Sequence, residues 1–159
     1  MNIDIICVGS IKEKYYIDAI KEYSKRLAPY TDLNIIEVDE YKLPNNPSLS
    51  QINYGLEKER EIIESKIKDR SYLIALVIEG KQLNSEDLSK KIEDITIEGY
   101  SNITFLIGSS YGMSQELKNK SNYKLSFSKM TFPHQLMRVI LIEQIYRAFK
   151  IIRNEPYHK

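Results

Sequence analysis

The hydrophobic pattern of this chain predicts an α/β fold with a mostly parallel sheet and helices on both faces, and three observations carry that prediction. Apolar runs of strand length alternate with segments of helical period from one end of the chain to the other. Some of those runs are unbroken rather than alternating, as strands covered on both faces are. Glycine closes several of them where the chain must turn.

Residues 3–8 form the first apolar run, closed by Gly9, and read as a buried strand. Residues 12–27 follow as a helix, with Tyr15, Ala19, Ile20, Tyr23 and Leu27 at helical spacing, and Pro29 stops it. Residues 33–38 read as a second strand. The stretch 41–48, with Pro44, Asn45, Asn46 and Pro47, must be a loop. Residues 50–68 are a charged helix with Ile52, Leu56, Ile63 and Ile67 on one side, and residues 72–78 an unbroken apolar strand closed by Glu79-Gly80. Ser85 is read as the cap of a helix reaching about residue 97. A strand at 103–107 ends at Gly108, Ser114 starts a short helix, and residues 124–128 make the last strand. Pro133 announces a final helix, residues 136–152, in which Leu136, Ile140, Glu143 and Arg147 share one face while Arg138 lies opposite amid Leu141, Ile142, Ile145 and Phe149. A helix apolar nearly all round belongs in a core or a subunit interface, and its buried charge requires a partner or a ligand.

With 159 residues, 42% of them apolar, and no linker-like stretch, residues 1–159 read as a single domain with enough chain for a full core. Cys7 is the only cysteine, which excludes a disulfide framework. The start lacks the basic and apolar regions of a signal peptide, and no apolar run approaches bilayer length, so a cytoplasmic protein without membrane contact is expected. Net charge is only +1, but its distribution is uneven. Residues 1–117 hold 14 Lys and Arg against 20 Asp and Glu, whereas residues 118–159 hold 9 against 2. A basic C-terminal quarter on an acidic body suggests an anionic partner at that end, because a local field draws in a polyanion.

In a parallel sheet, ligands bind where loops leave the carboxyl ends of strands. Three such ends carry unusual residues: Leu76-Val-Ile-Glu-Gly80, Leu106-Ile-Gly-Ser-Ser-Tyr-Gly112 and Leu125-Ser-Phe-Ser-Lys-Met-Thr131. The glycine loop after Ile107 lets backbone approach a ligand closely, yet it has neither the dinucleotide-binding nor the P-loop spacing. Two histidines, His134 and His158, and one cysteine offer no paired-Cys or clustered-His spacing for zinc, so no metal is expected. Ser-His-Asp hydrolysis lacks its Gly-x-Ser-x-Gly elbow. What the residues leave open is a nucleotide-binding α/β enzyme or a non-catalytic module that binds an anionic partner through the basic face.

The strings Leu-Ser-Phe-Ser-Lys-Met-Thr-Phe-Pro-His-Gln, Arg-Val-Ile-Leu-Ile-Glu-Gln-Ile-Tyr-Arg-Ala and Pro-Tyr-His are highly specific, and with Ile5-Ile-Cys-Val-Gly9, the 12–27 helix, Glu79-Gly80 and Phe105-Leu-Ile-Gly108 they span the chain. On these residues the chain closely resembles the RlmH family of bacterial ribosomal large-subunit pseudouridine N3-methyltransferases, within the SPOUT superfamily. The resemblance implies a C-terminal trefoil knot and an S-adenosylmethionine (S-adenosyl-L-methionine) pocket lined by Leu76, Gly108, Phe127, Ser128, Lys129, Met130, Thr131 and Phe132. It implies a homodimer acting on the assembled ribosome, at N3 of a pseudouridine in a 23S rRNA hairpin. Of the residues carried over, His158 is assigned as the base for the N3 proton, Tyr157 as the residue that positions or stacks on the ring, and Arg147 as the charge stabiliser. One departure is Ser109, where the family often has a second glycine.

Overall fold

The computed structural model describes every residue from Met1 to Lys159. Five strands, β1 (Asn2–Val8), β2 (Asp32–Val38), β3 (Tyr72–Gln82), β4 (Asn102–Ile107) and β5 (Tyr123–Ser126), form one sheet in the order β2-β1-β4-β3-β5. Every neighbouring pair is parallel. The helices are α1 (Lys14–Leu27), α2 (Leu49–Lys66), α3 (Ser85–Ile97), α4 (Gln115–Lys120) and α5 (His134–Ile152).

The period of two along each strand divides the core. Ile3, Ile5 and Cys7 of β1 and Ile103, Phe105 and Ile107 of β4 face Leu27 of α1, Ile92 of α3 and Leu141, Ile142 and Ile145 of α5. Ile6, Val8 and Leu106 point the other way, onto Ile63 of α2 and Leu117 of α4. Helices therefore cover both faces, three on one and two on the other. Leu141, Ile142 and Ile145 have no exposed surface. At about 1.5–3 kcal/mol for each buried aliphatic side chain, these three residues rival the net stability of an ordinary domain, so α5 is no detachable arm.

Several boundaries differ from expectation for identifiable reasons. Helix α3 is capped by Asn84, whose side chain accepts from the Asp87 amide at 2.7 Å. Ser85 instead donates to Gln144 at 2.7 Å and ties α3 to α5. Glu79-Gly80 does not end β3 but forms a bulge in it, since both Leu76 and Lys81 register with Leu125. An added Cβ at Gly80 would lie 2.7 Å from the Lys124 carbonyl oxygen, so only glycine lets the bulge pass β5. Strand β5 stops at Ser126, which releases Phe127 and Ser128 into the following loop. Helix α2 starts at Leu49 through a capping box between Ser48 and Gln51.

Helix α5 packs against both α1 and α3, so much of its apolar circumference is covered by its own chain. Its buried charge also finds partners inside the fold. Arg138 is fully buried and donates to Glu37 Oε1 at 2.7 Å, to the Gly9 carbonyl at 2.6 Å and to the Val8 carbonyl at 3.2 Å. Glu37 also accepts from the Ile11 amide at 3.1 Å. This network pins the start of α5 to the carboxyl ends of β1 and β2.

Candidate active site

The carboxyl ends of β3, β4 and β5 enclose a cavity of about 350 Å³, within the range of small-molecule sites. Leu76, Ile107 and Leu125 contribute from the strands; residues 108–112, the β3 bulge and the loop after β5 form the walls. Of the residues expected to hold a cofactor, Leu76, Gly108, Phe127, Ser128, Met130, Thr131 and Phe132 line this cavity and Lys129 does not. Met130 is 74% exposed and sits at the mouth.

The loop after β4 closes on itself. The Ser109 amide donates to the Gly112 carbonyl at 2.9 Å, and the Gly112 amide returns a bond to the Ser109 carbonyl at 2.8 Å. A Cβ at Gly108 would stand 2.2 Å from the Gly112 carbonyl oxygen. Glycine is thus required at 108 by the loop's own closure, a different reason from the close approach to a ligand that the sequence suggests. In the loop after β5, the Ser126 hydroxyl donates to the Ser128 carbonyl at 3.0 Å and the Met130 amide donates to the Ser128 hydroxyl at 3.0 Å, so both serines shape the backbone.

Among the lining residues the charged side chains are Glu79 and Lys118, paired at 2.6 Å. The Lys118 hydrogen bond holds the Glu79 carboxyl below the usual carboxylate range. Apolar walls with hydroxyls, backbone groups and one balanced ion pair are the donor set that a purine joined to an amino-acid moiety needs, and S-adenosylmethionine fits it. No group of three or more His, Cys, Asp and Glu side chains converges as metal ligands would. Glu79, Lys118, His134 and Met137 were not among the expected site residues. Glu79 had a signal in its place at a strand end, and His134 in the Phe-Pro-His-Gln string; Lys118 and Met137 had none.

Arg147, Tyr157 and His158 form a second group, drawn together around Glu143. Arg147 donates to Glu143 Oε1 at 2.7 and 3.1 Å, and the Tyr157 hydroxyl donates to the same oxygen at 3.0 Å. The Arg147 guanidinium carbon lies 4.6 Å from the centre of the Tyr157 ring. Burial, then the Glu143 hydrogen bond, pushes the Tyr157 phenol up to about 12. His158 lies between Arg147, 3.3 Å from Nδ1, and Glu86, 2.7 Å from Nε2. Arginine can only donate and a carboxylate only accept, so these partners assign neutral His158 as the tautomer with its proton on Nε2. Its Nδ1 lone pair is then occupied, and accepting a substrate proton requires His158 to give up the Arg147 contact.

None of the three lines the cavity. Met137 does, and Arg147 follows it by ten residues on the same helix, about 15 Å along the axis. The structure thus brings together the cofactor residues in one place and the proposed chemical residues in another. The basic quarter is also less free than its composition suggests. Five of its nine cations, Lys118, Lys120, Arg138, Arg147 and Lys150, have carboxylate partners.

A parallel α/β sheet with an apolar, hydroxyl-edged pocket at its carboxyl edge defines the class: an α/β domain with a small-molecule-sized site at its strand ends. The particular family follows from comparison with known proteins. The chain belongs to the SPOUT methyltransferase family, whose model, described as "Predicted SPOUT methyltransferase", matches residues 1–158. A protein of Methanococcus vannielii is 58% identical over the full length of both chains. Ribosomal RNA large subunit methyltransferase H of Clostridium botulinum strain Hall is 57% identical, again over the whole of both chains. A solved structure, a probable methylase family protein from Haemophilus influenzae Rd KW20, superposes with a TM-score of 0.53 at 16% identity, covering 99% of this chain and 70% of that one, and supports the fold.

Proposed function

We propose that this protein is an S-adenosylmethionine-dependent methyltransferase that modifies N3 of a pseudouridine in a 23S rRNA hairpin of the assembled ribosome, as a cytoplasmic homodimer. The observation that carries this reading is the convergence on one cavity of Leu76, Gly108 and the loop residues Phe127, Ser128, Met130, Thr131 and Phe132. Relatives over half identical along the whole chain, among them an rRNA large subunit methyltransferase, support the substrate class. No helix is long and apolar enough to cross a membrane.

The cofactor supplies an electrophilic methyl group on a sulfonium. Leu76, Phe127 and Phe132 would give it apolar walls, and the backbone of the loops at 108–112 and 127–132 would supply directional donors and acceptors. Holding acceptor and methyl group in line replaces a bimolecular encounter with an oriented one. Arg147 stabilises negative charge on the pyrimidine ring as the N3 proton leaves, Tyr157 stacks on the ring, and His158 takes the proton at Nδ1 once that nitrogen has left Arg147. Because Arg147 lies about 15 Å along α5 from Met137 at the cavity, and Tyr157 and His158 gather at Arg147 beyond the end of that helix, a dimer in which the tail of one subunit serves the cavity of the other joins the two halves.

The test is methyl transfer from labelled S-adenosylmethionine to assembled ribosomes, isolated subunits and free rRNA, with the product nucleoside identified by mass spectrometry. Label in 3-methylpseudouridine on assembled ribosomes is the expected result. Ribosome binding with no methyl incorporation would instead identify a non-catalytic module.

A further inference from the structure

We infer that Tyr111 is the stacking platform for the target base of the rRNA, so that the mouth of the cavity holds a pyrimidine nucleotide by the face of its ring; the inference rests on the methyltransferase reading above. The three loops that enclose the cavity each set one large apolar side chain in water at its opening. Ile78 comes from the β3 bulge and is 51% exposed, Tyr111 from the 108–112 loop and is 48% exposed, and Met130 from the loop after β5. Exposed apolar side chains scattered singly need no explanation, but three around one opening mark a surface that something covers.

Tyr111 is set apart from the other tyrosines of the chain. Each of the other eleven packs against a second aromatic ring or lies under a lysine, whereas the Tyr111 ring has no such neighbour on either face. Its backbone is nevertheless fixed. The two bonds between Ser109 and Gly112 make Ser110 and Tyr111 the central pair of a tight turn, and the Ser110 hydroxyl donates to Glu40 at 3.2 Å. A ring carried on such a turn loses little freedom when a ligand stacks on it.

What covers this rim follows from what the cavity must do. A methyl donor held there reacts only with an acceptor brought into line and into contact, so the acceptor ring must enter through this opening. Reaction at N3 requires that edge of the base to face the donor, which leaves the faces of the ring for the protein to grip, and aromatic side chains grip bases by their faces. Tyr157 is assigned to one face, and Tyr111 takes the other. Lys129, exposed beside Met130 and without a carboxylate partner, supplies a cation for the phosphate of the same nucleotide.

The experiment follows methyl transfer to assembled ribosomes, S-adenosylmethionine binding by calorimetry and subunit association by analytical ultracentrifugation for full-length wild type, Tyr111→Ala, Tyr111→Leu and Tyr111→Phe, with thermal unfolding of each. Loss of one base–aromatic stack should lower kcat/KM for ribosomes by about five- to a hundredfold in Tyr111→Ala, chiefly through KM. Tyr111→Leu should fall nearly as far, because it restores apolar bulk without a π face, and Tyr111→Phe should stay within about threefold of wild type. Cofactor affinity and subunit association should be unchanged in all three. Wild-type kcat/KM in Tyr111→Ala overturns the inference, as does wild-type kcat/KM in Tyr111→Leu, which decides the matter if Tyr111→Ala does not fold. A loss explained by weaker cofactor binding would place the ring on the cofactor, and a weakened dimer would place a second copy of the chain on the rim; either overturns it too. Wild-type protein that binds no S-adenosylmethionine or transfers no methyl group sinks the methyltransferase reading and this inference together, whereas an active wild type with an indifferent Tyr111 sinks this inference alone.

Discussion

At the scale of single residues, the closest contact in the cavity concerns Gly108. With 2.2 Å between an added Cβ and the Gly112 carbonyl oxygen, Gly108→Val forces the 108–112 loop open. S-adenosylmethionine binding should be lost while the protein stays folded, and unchanged affinity by calorimetry would show that the loop is not part of the site. Thr131→Ala removes at most one neutral hydrogen bond, about 0.5–1.5 kcal/mol, so its affinity should fall by no more than about tenfold. Tyr157 offers a test by pH. Its folded-state pKa, pushed up to about 12 by burial and by Glu143, lies above the ordinary 10.0. The stability this contributes is fully present below pH 10 and is lost as pH rises from 10 to 12. Subtracting the ultraviolet phenolate titration of Tyr157→Phe from that of wild type should reveal one phenol ionising near pH 12. A difference curve centred near 10 would mean that Glu143 does not hold the ring in solution.

At the scale of elements, α5 does two jobs separated along its length. Its first turns carry Met137 to the cavity and Arg138 to the ends of β1 and β2; its last turns carry Arg147 to the tail. Arg138→Met leaves the Val8 and Gly9 carbonyls without their donor, but the Glu37 side chain is 41% exposed and can return to water. The loss should therefore fall near the lower end of the 3–5 kcal/mol typical of a broken buried pair, about 3 kcal/mol. Urea unfolding measures it, and a loss under about 1 kcal/mol would mean that carbonyl contacts of this kind are replaced by solvent at little cost. The tail is a different case. Residues 157–159 contribute only side-chain contacts at the surface of α5 and α3, so their deletion should leave folding and cofactor binding near wild type while methyl transfer to ribosomes disappears. Retained methyl transfer would remove Tyr157 and His158 from the mechanism.

At the scale of the whole molecule, the separation between cavity and tail cluster makes the shared-site dimer testable by complementation. Mixing the 157–159 deletion with full-length Gly108→Val should restore part of the activity after subunit exchange, because a heterodimer places one intact tail over one intact cavity. Verified heterodimers without activity would mean that each tail serves its own subunit. The charge distribution gives a second prediction. Lys124, Lys129, Arg153 and Lys159 are the cations of the basic quarter outside the carboxylate pairs. At about 0.7–0.9 released counterions per phosphate contact, the logarithm of the ribosome KM should rise with the logarithm of salt with a slope of no more than about 3–4 per subunit. Cofactor affinity should barely respond. A salt-independent KM would exclude this end of the chain as the RNA surface.

What the amino-acid sequence determined by itself was whatever depends on neighbours along the chain. Periods of two and 3.6, with glycine and proline as punctuation, placed five strands and five helices within a few residues, because those signals arise from local backbone geometry. Glu143 and Arg147 were readable as a pair because four residues make one helical turn. Highly specific strings named the family, and through it the residues around the cavity. Tertiary structure alone decided which strand ends meet, and with them the partners of the buried charges. Arg138 with Glu37 and His158 with Glu86 are joined across 101 and 72 positions of sequence. No local period spans such distances; burial selects the partner, since a charge taken out of water must find a complementary group wherever the fold brings one.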